Sequence, residues 1–173
     1  PVPSSAASDV YKRQINYEAD DLIATYVEKI LDLGAKVTIV SSDKDLMQLY
    51  KKGVRIYDPM KNKFINQDDV HNKFGVTPEK VIDVQSLAGD STDNVPGVPG
   101  IGVKTAAELI NQYGTLENLL KNASKIKQNK RRETLINNKD EAIISKKLVT
   151  LKKNVPVKNK IEEFILKSVN QDK

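Results

Sequence analysis

Between Tyr17 and Leu33 the apolar side chains Leu22, Ile23, Tyr26, Val27, Ile30 and Leu31 recur at steps of three and four residues. That period belongs to an amphipathic helix, and Gly34 supplies its C-terminal stop. The pattern then changes. Lys36–Val40 (KVTIV) is a short β-branched run, which predicts a buried strand. Ser41–Asp45 is the loop leaving it, Leu46–Tyr50 reads as a short helix, and Val54–Tyr57 is a second strand ended by Asp58-Pro59. A helix over Asp68–Phe74 follows. Thr77 as N-cap and Pro78 at the first helical position open another that runs to Leu87. Beyond it no strand is predicted: Lys104–Tyr113, Leu116–Lys121, Arg131–Asn137 and Asp140–Leu151 all favour helix. Alternating elements followed by clustered helices imply an α/β layer with a helical subdomain after it.

Composition narrows the class. With 39% hydrophobic and 29% charged residues, the 173-residue chain belongs with globular proteins rather than disordered ones. No apolar run approaches the ~18 residues of a membrane span. The absence of cysteine excludes disulfides and thiolate metal sites, and fits a reducing, cytoplasmic setting. The net charge of +5 is unevenly placed. Residues 1–96 carry 12 Lys and Arg against 15 Asp and Glu, whereas residues 97–173 carry 16 against 8. One half is suited to collecting cations and the other to meeting a polyanion, although two ordinary solvated surfaces would share this balance. Pro1–Gln14 (PVPSSAASDVYKRQ) has neither helical nor strand period and lacks the basic flank and apolar core of a signal peptide. It reads as a foreign or badly assembled leader on a fragment whose own sequence starts near Ile15.

Three acidic clusters fall at informative places. Glu18, Asp20 and Asp21 (EADD) open the first helix, where carboxylates also favour the helix dipole. Asp43 and Asp45 (SSDKD) follow the KVTIV strand, at the edge of an α/β sheet where ligands collect. Asp90 and Asp93 (GDSTDN) follow the helix ending near Leu87. Seven carboxylates at one end of a sheet repel each other unless something neutralises them. Hard divalent cations such as Mg²⁺ take such oxygen ligands, and two of them can promote phosphodiester hydrolysis. The chain's single histidine, His71, lies in a polar stretch and reads as surface, which disfavours an imidazole-rich zinc site. Each acidic pair alone is also what an ordinary surface carries.

Gly97–Ala106 (GVPGIGVKTA) is the other chemical signal. Val103 separates Gly102 from Lys104 and no strand precedes the segment, so a nucleotide-binding P-loop fails on both counts. What remains is a tight hairpin feeding a helix that starts near Val103. Glycines let backbone approach a ligand, and amides at a helix start attract anions. Gly97, Val98, Gly100, Ile101, Gly102, Lys104 and Thr105 are therefore candidate contacts to a DNA backbone. A plain structural turn is the alternative. Lys121–Arg132 (KNASKIKQNKRR), with six basic residues and no acid, is either a further phosphate contact or a solvated loop.

The strings YEADDLIATYV, VTIVSSDKDLMQL, FGVTPEKVIDVQSLAGDSTDNVPGVPGIGVKTAAELI and SKKLVTL, in this order, resemble the 5′-3′ exonuclease domain of bacterial DNA polymerase I and the wider flap endonucleases. The resemblance runs from about Ile15 to Val157. It implies an α/β core of PIN-like, resolvase-like type, followed by a helix-three-turn-helix (helix-hairpin-helix) DNA-binding subdomain. The expected divisions are residues 1–14 leader, 15–88 core, 89–157 DNA-binding subdomain and 158–173 tail. It further implies cleavage at DNA 5′ ends and flaps with two divalent ions, Mg²⁺ or Mn²⁺, in replication and repair, and a polymerase domain fused in the native gene. By motif, Glu18 and Asp20 match ligands of the first ion, with Asp21 beside them. Asp43, Asp45 and Asp93 match the second, with Asp90 accompanying, and the Gly97–Thr105 hairpin matches a duplex-gripping segment that often holds K⁺. The family begins with a further α/β segment carrying two more ligand aspartates, a substrate tyrosine and a basic arch, in place of which stands the leader. The expectation is therefore a chain that binds DNA and cleaves poorly, with an exposed sheet edge. A non-catalytic DNA-binding module and a PIN-like ribonuclease are the competing readings.

Overall fold

The computed structural model describes residues 17–158 and 161. The leader 1–14 and nearly all of the tail 158–173 lie outside the described residues. The chain opens with α1 (Ala19–Asp32). Asp21, at the third helical position, reaches back to accept the Glu18 backbone N–H at 3.4 Å and so satisfies a donor that a helix start leaves free. Ala24 and Val27 bury the inner face of α1 against β1 (Val37–Val40) and the 3₁₀ turn Asp45–Leu49 that follows it.

β1 pairs in parallel with β2 (Val54–Asp58), with Val37 opposite Val54 and Val40 opposite Tyr57. β2 pairs antiparallel with β3 (Lys63–Ile65), giving the order β1-β2-β3. β3 was not expected. Asp58-Pro59 ends β2 as expected, and also opens the hairpin turn to β3. The Asp58 carboxylate accepts the backbone N–H of Met60 at 3.0 Å and of Lys61 at 3.2 Å, the Lys61 ammonium at 2.9 Å and the Ser42 hydroxyl at 2.5 Å. These partners, the Ser42 hydroxyl first, hold its pKa well below the usual carboxylate range. Asn62, with φ of 51°, completes the turn.

α2 (Gln67–Phe74) is capped by Asn66, whose side chain accepts the Asp69 N–H at 2.9 Å, and ends at Gly75 in the left-handed region. The segment predicted as one helix from Thr77 is a 3₁₀ turn, Pro78–Lys80, running into α3 (Val81–Ala88). α3 is the central post. It packs most closely against α4 (Val103–Tyr113) and α7 (Lys139–Val149), with α5 (Leu116–Lys121) and α6 (Asn129–Asn137) completing the helical half. The Lys146 ammonium lies 2.7 Å from both Asp83 and Glu117, tying α7 to α3 and α5. One continuous apolar core runs from Ile39 and Ile56 of the sheet through Val84 and Leu87 to Leu109, Ile110 and Leu119. No described helix is long and apolar enough to cross a membrane.

Two glycines join the halves. Gly89 ends α3 and Gly97 starts the hairpin, both at positive φ. Their backbones touch: a Cβ on Gly97 would stand 2.4 Å from the Gly89 nitrogen. Gly102, the N-cap of α4, has φ of −87° and open space where a Cβ would go. Gly97→Ala is therefore expected to destabilise the fold by about 2–5 kcal/mol, combining left-handed strain with overpacking. Gly102→Ala should change stability by less than about 0.5 kcal/mol. Denaturant unfolding of both variants checks the contrast.

Candidate functional site

The acidic cleft is assembled by chain ends of regular elements. β1 delivers the loop Ser41–Lys44 at the C-terminal edge of the parallel pair. The loop is wound by local side-chain acceptors. Ser41 Oγ accepts the Asp43 N–H at 3.0 Å, and Asp43 Oδ1 accepts the Asp45 N–H at 2.9 Å. The start of α1 supplies Glu18 and Asp20, and the loop after α3 supplies Asp90 and Asp93. These six acids line one cleft of about 520 Å³, together with Gln85, Asn94, Val95 and the α7 end at Leu148, Val149 and Leu151.

Their electrostatics differ. The Asp20 pKa is pushed up to about 6, first by burial and then by Asp43, Asp45, Glu18 and Asp21. Asp45 is also raised, chiefly by burial, against the opposing hydrogen bond from Gln85. Asp90 is lowered by the Lys44 ammonium, with which it forms an ion pair. It also accepts the Thr92 N–H at 2.9 Å and forms a β-bridge with Val95. Asp90 thus braces the loop that carries Asp93. Among the described residues no three acidic or histidine side chains converge tightly enough, as they stand, to hold a metal ion. The carboxylates share a cleft rather than a point. Their donor set is all oxygen, with crowding that a hard divalent cation would relieve.

Asp21 does not line this cleft. One of its oxygens accepts the Glu18 N–H and the other accepts the Lys152 N–H at 2.8 Å. Thr25 Oγ1 adds a donation to the Lys152 carbonyl at 3.3 Å and accepts the Val155 N–H at 3.1 Å. Residues 152–155 therefore strap α1 beside α7, a link with no local sequence signature. His71 is exposed. The sequence reading also passed over Gln85, which is 5% exposed and donates from Nε2 to Asp45 Oδ1 at 2.5 Å. A glutamine on the buried face of α3 looks like an interruption of the apolar pattern, so nothing local marks it.

The hairpin divides into an anchored part and a presented part. Gly97, Val98 and Ile101 are buried. Gly97 N–H donates to Ser145 Oγ at 2.8 Å and Val98 N–H to the Leu87 carbonyl at 2.8 Å. Val98 to Ile101 closes a turn at 3.0 Å, with Pro99 second and Gly100, at φ of 75°, third, as a type II turn requires. Gly100, Gly102 and Lys104 are exposed, and Thr105 is half-buried. α4 begins at Val103 without a side-chain cap, so its first-turn amides lack a side-chain acceptor from Gly102.

With this geometry in place, the relatives are informative. The Aquifex aeolicus 5′-3′ exonuclease is 40% identical over 157 residues, 91% of this chain and 53% of that protein. DNA polymerase I of Rhizobium leguminosarum is 54% identical over 157 residues, again 91% of this chain but 16% of that protein. The chain thus spans from about one-sixth to about half the length of these relatives. Zinc-bound T5 5′-exonuclease superposes with a TM-score of 0.73 at 26% identity, over 79% of this chain and 51% of that one. The bacteriophage T5 D15 flap endonuclease, in a pseudo-enzyme-product complex with DNA and metal ions, gives 0.72 at 25% identity, over 79% and 50%. Residues 7–75 match the 5′-3′ exonuclease N-terminal resolvase-like domain and residues 76–172 the 5′-3′ exonuclease C-terminal SAM fold, so the chain belongs to the 5′-3′ exonuclease family.

Proposed function

We propose that this chain carries the cation site and DNA grip of a Mg²⁺- or Mn²⁺-dependent nuclease that hydrolyses DNA phosphodiesters at 5′ ends and flaps. The observation that carries the reading is the shared cleft of Glu18, Asp20, Asp43, Asp45 and Asp93, the last on the loop that leads into the α4 hairpin. Two divalent cations held there would activate a water and stabilise the leaving oxygen of a phosphodiester. In this reading Glu18 and Asp20 hold one ion, and Asp43, Asp45 and Asp93 the other. Lys44 and Asp90 keep the loop in place, and Asp21 fixes the start of α1 from behind. The exposed Gly100 and Gly102, with Lys104 and Thr105, take phosphates of the duplex without reading sequence. A monovalent ion such as K⁺ at the turn, a cytoplasmic setting and a polymerase domain fused in the native gene belong to the same reading. The metal-bound and DNA-bound T5 structures support it.

A non-catalytic DNA-binding module is the competing reading. It gives no reason for crowded carboxylates beside a polyanion-binding turn, because they would weaken the grip.

The decisive comparison uses the double variant Asp43→Ala, Asp45→Ala. It should lower Mn²⁺ affinity at least about tenfold and leave the affinity for a 5′-flap duplex within about threefold. In a chain extended by the N-terminal segment of the Aquifex relative, the same variant should lose flap cleavage, measured by gel assay with Mg²⁺. Unchanged Mn²⁺ binding, or surviving cleavage, would refute the assignment. Lys104→Ala should weaken duplex binding about three- to tenfold and reduce the salt slope of the affinity by roughly one.

A pH dependence follows from Asp20. Its folded pKa of about 6 stands above the ordinary aspartate value of 3.8. The stability it contributes is present below the lower value and is lost as pH rises through the higher one. A cation competes with that proton and removes the repulsion behind the shift. The rise in Tm on adding Mg²⁺ should therefore be larger at about pH 7.5 than at about pH 5. Equal rises at both values would place Mg²⁺ elsewhere.

A further inference from the structure

Gln85 stands where three features of the cleft meet. It is 5% exposed, it lines the acidic cleft, and its Nε2 donates to Asp45 Oδ1 at 2.5 Å. The orientation of the amide follows from charge: a carbonyl oxygen turned toward the carboxylate would repel it, so the NH₂ faces Asp45. Among the described residues, no hydrogen-bond donor reaches the other end of the amide, the buried Oε1. Among the described residues, Asp83 Oδ1 is the other buried side-chain oxygen without a hydrogen bond, and it has the Lys146 ammonium 2.7 Å away.

An unpaired buried amide oxygen destabilises a fold, and an apolar side chain of similar size would serve α3 better. Gln85 is therefore badly explained as a packing residue. Its one bond is to Asp45, a residue at the head of the 3₁₀ turn on a different element. The kind of donor matters. At Asp90 the partner is Lys44, a charged group that supplies a counter-ion. At Asp45 the partner is neutral. A neutral amide fixes the orientation of a carboxylate without adding a counter-charge, and among the described residues no hydrogen bond to Asp45 Oδ2 accompanies it.

Resting on the cation site proposed above, we infer that Gln85 is a positioning residue of that site, holding the Asp45 carboxylate in a ligand-ready orientation. Outer partners of metal-ligating carboxylates commonly change cation affinity by 10–100-fold. Gln85 acts through Asp45 alone.

The test uses the 173-residue chain, Mn²⁺ alone as probe, and unbound Mn²⁺ read by electron paramagnetic resonance. Gln85→Met preserves length and volume while deleting both the donor and the unpaired oxygen. It should weaken Mn²⁺ binding about tenfold, while Tm in EDTA stays the same or rises. A purely structural glutamine would give a fall in Tm, and that result overturns the inference. Unchanged Mn²⁺ affinity overturns it equally. Gln85→Leu, carried in parallel, serves if the thioether does not fit, and its expected signature is the same. In an Asp45→Asn background, Gln85→Met should have no further effect on Mn²⁺ affinity. A full tenfold loss there would show that Gln85 does not act through Asp45. Failure of the underlying site looks different: the Asp43→Ala, Asp45→Ala variant would then bind Mn²⁺ as the unaltered chain does.

Discussion

Carboxylates crowded into a half-buried cleft repel one another, and a fold can keep them there only if other contacts hold each supporting segment in place. The three acidic segments are each restrained by contacts of their own. The start of α1 is fixed by Asp21, which spends both oxygens on backbone amides of Glu18 and Lys152. The loop after β1 is wound by Ser41 and Asp43 and pinned at its base by Ser42 on Asp58. The loop after α3 is held by the Asp90–Val95 bridge and by Lys44. The raised pKa of Asp20 records the residual strain of this arrangement, because burial and four neighbouring acids all disfavour its charged form.

The same contacts explain why charge is segregated along the chain. The acidic half supplies the carboxylates of the cleft, and the basic half is helical from α4 onward. The few acids within the basic half are partly committed. Glu117 pairs with Lys146, and Glu108 lies 3.8 Å from Arg131. Arg132 is committed too: it donates to the Ile126 carbonyl at 2.9 Å and to Asn129 at 2.8 Å. The basic run Lys121–Arg132 is therefore part scaffold, with a 3₁₀ turn at Ala123–Lys125 and the start of α6 inside it.

Long periodic elements were legible because burial imposes a spacing that local residues must obey; α1, α4 and α7 follow it almost to the residue. β3 was not legible, since three residues show no period, and Asp58-Pro59 marks the end of β2 without showing that a strand follows the turn. What turns the chain there is the Asp58 side chain, whose partner Ser42 lies sixteen positions away. The acidic cluster at Glu18–Asp21 shows the same limit from the other side. Composition makes its three acids equivalent, but helical geometry sends Asp20 to the cleft and Asp21 to the strap at Lys152. Gln85 was invisible for a related reason: its meaning lies in a residue forty positions earlier.

The loop from Gly89 to Gly97 joins the acidic cleft to the α4 hairpin. Its two ends are pressed backbone to backbone, at a separation that admits no Cβ. Asp90 and Asp93 stand on its inner side, and the type II turn of the hairpin begins immediately beyond Gly97, itself anchored on Ser145 of α7. A segment this short, clamped at both ends, cannot move its acids independently of the turn. About four residues of restrained chain separate Asp93 from the hairpin, so the proposed cation site and the proposed phosphate contact are close neighbours along the chain. Because α7 anchors the turn through Ser145 and also walls the cleft with Leu148 and Val149, it offers a second rigid route between them. The glycine pair thus does more than permit a tight bend. It fixes the spacing between the hairpin proposed to meet a phosphate and the carboxylates proposed to hold the cations.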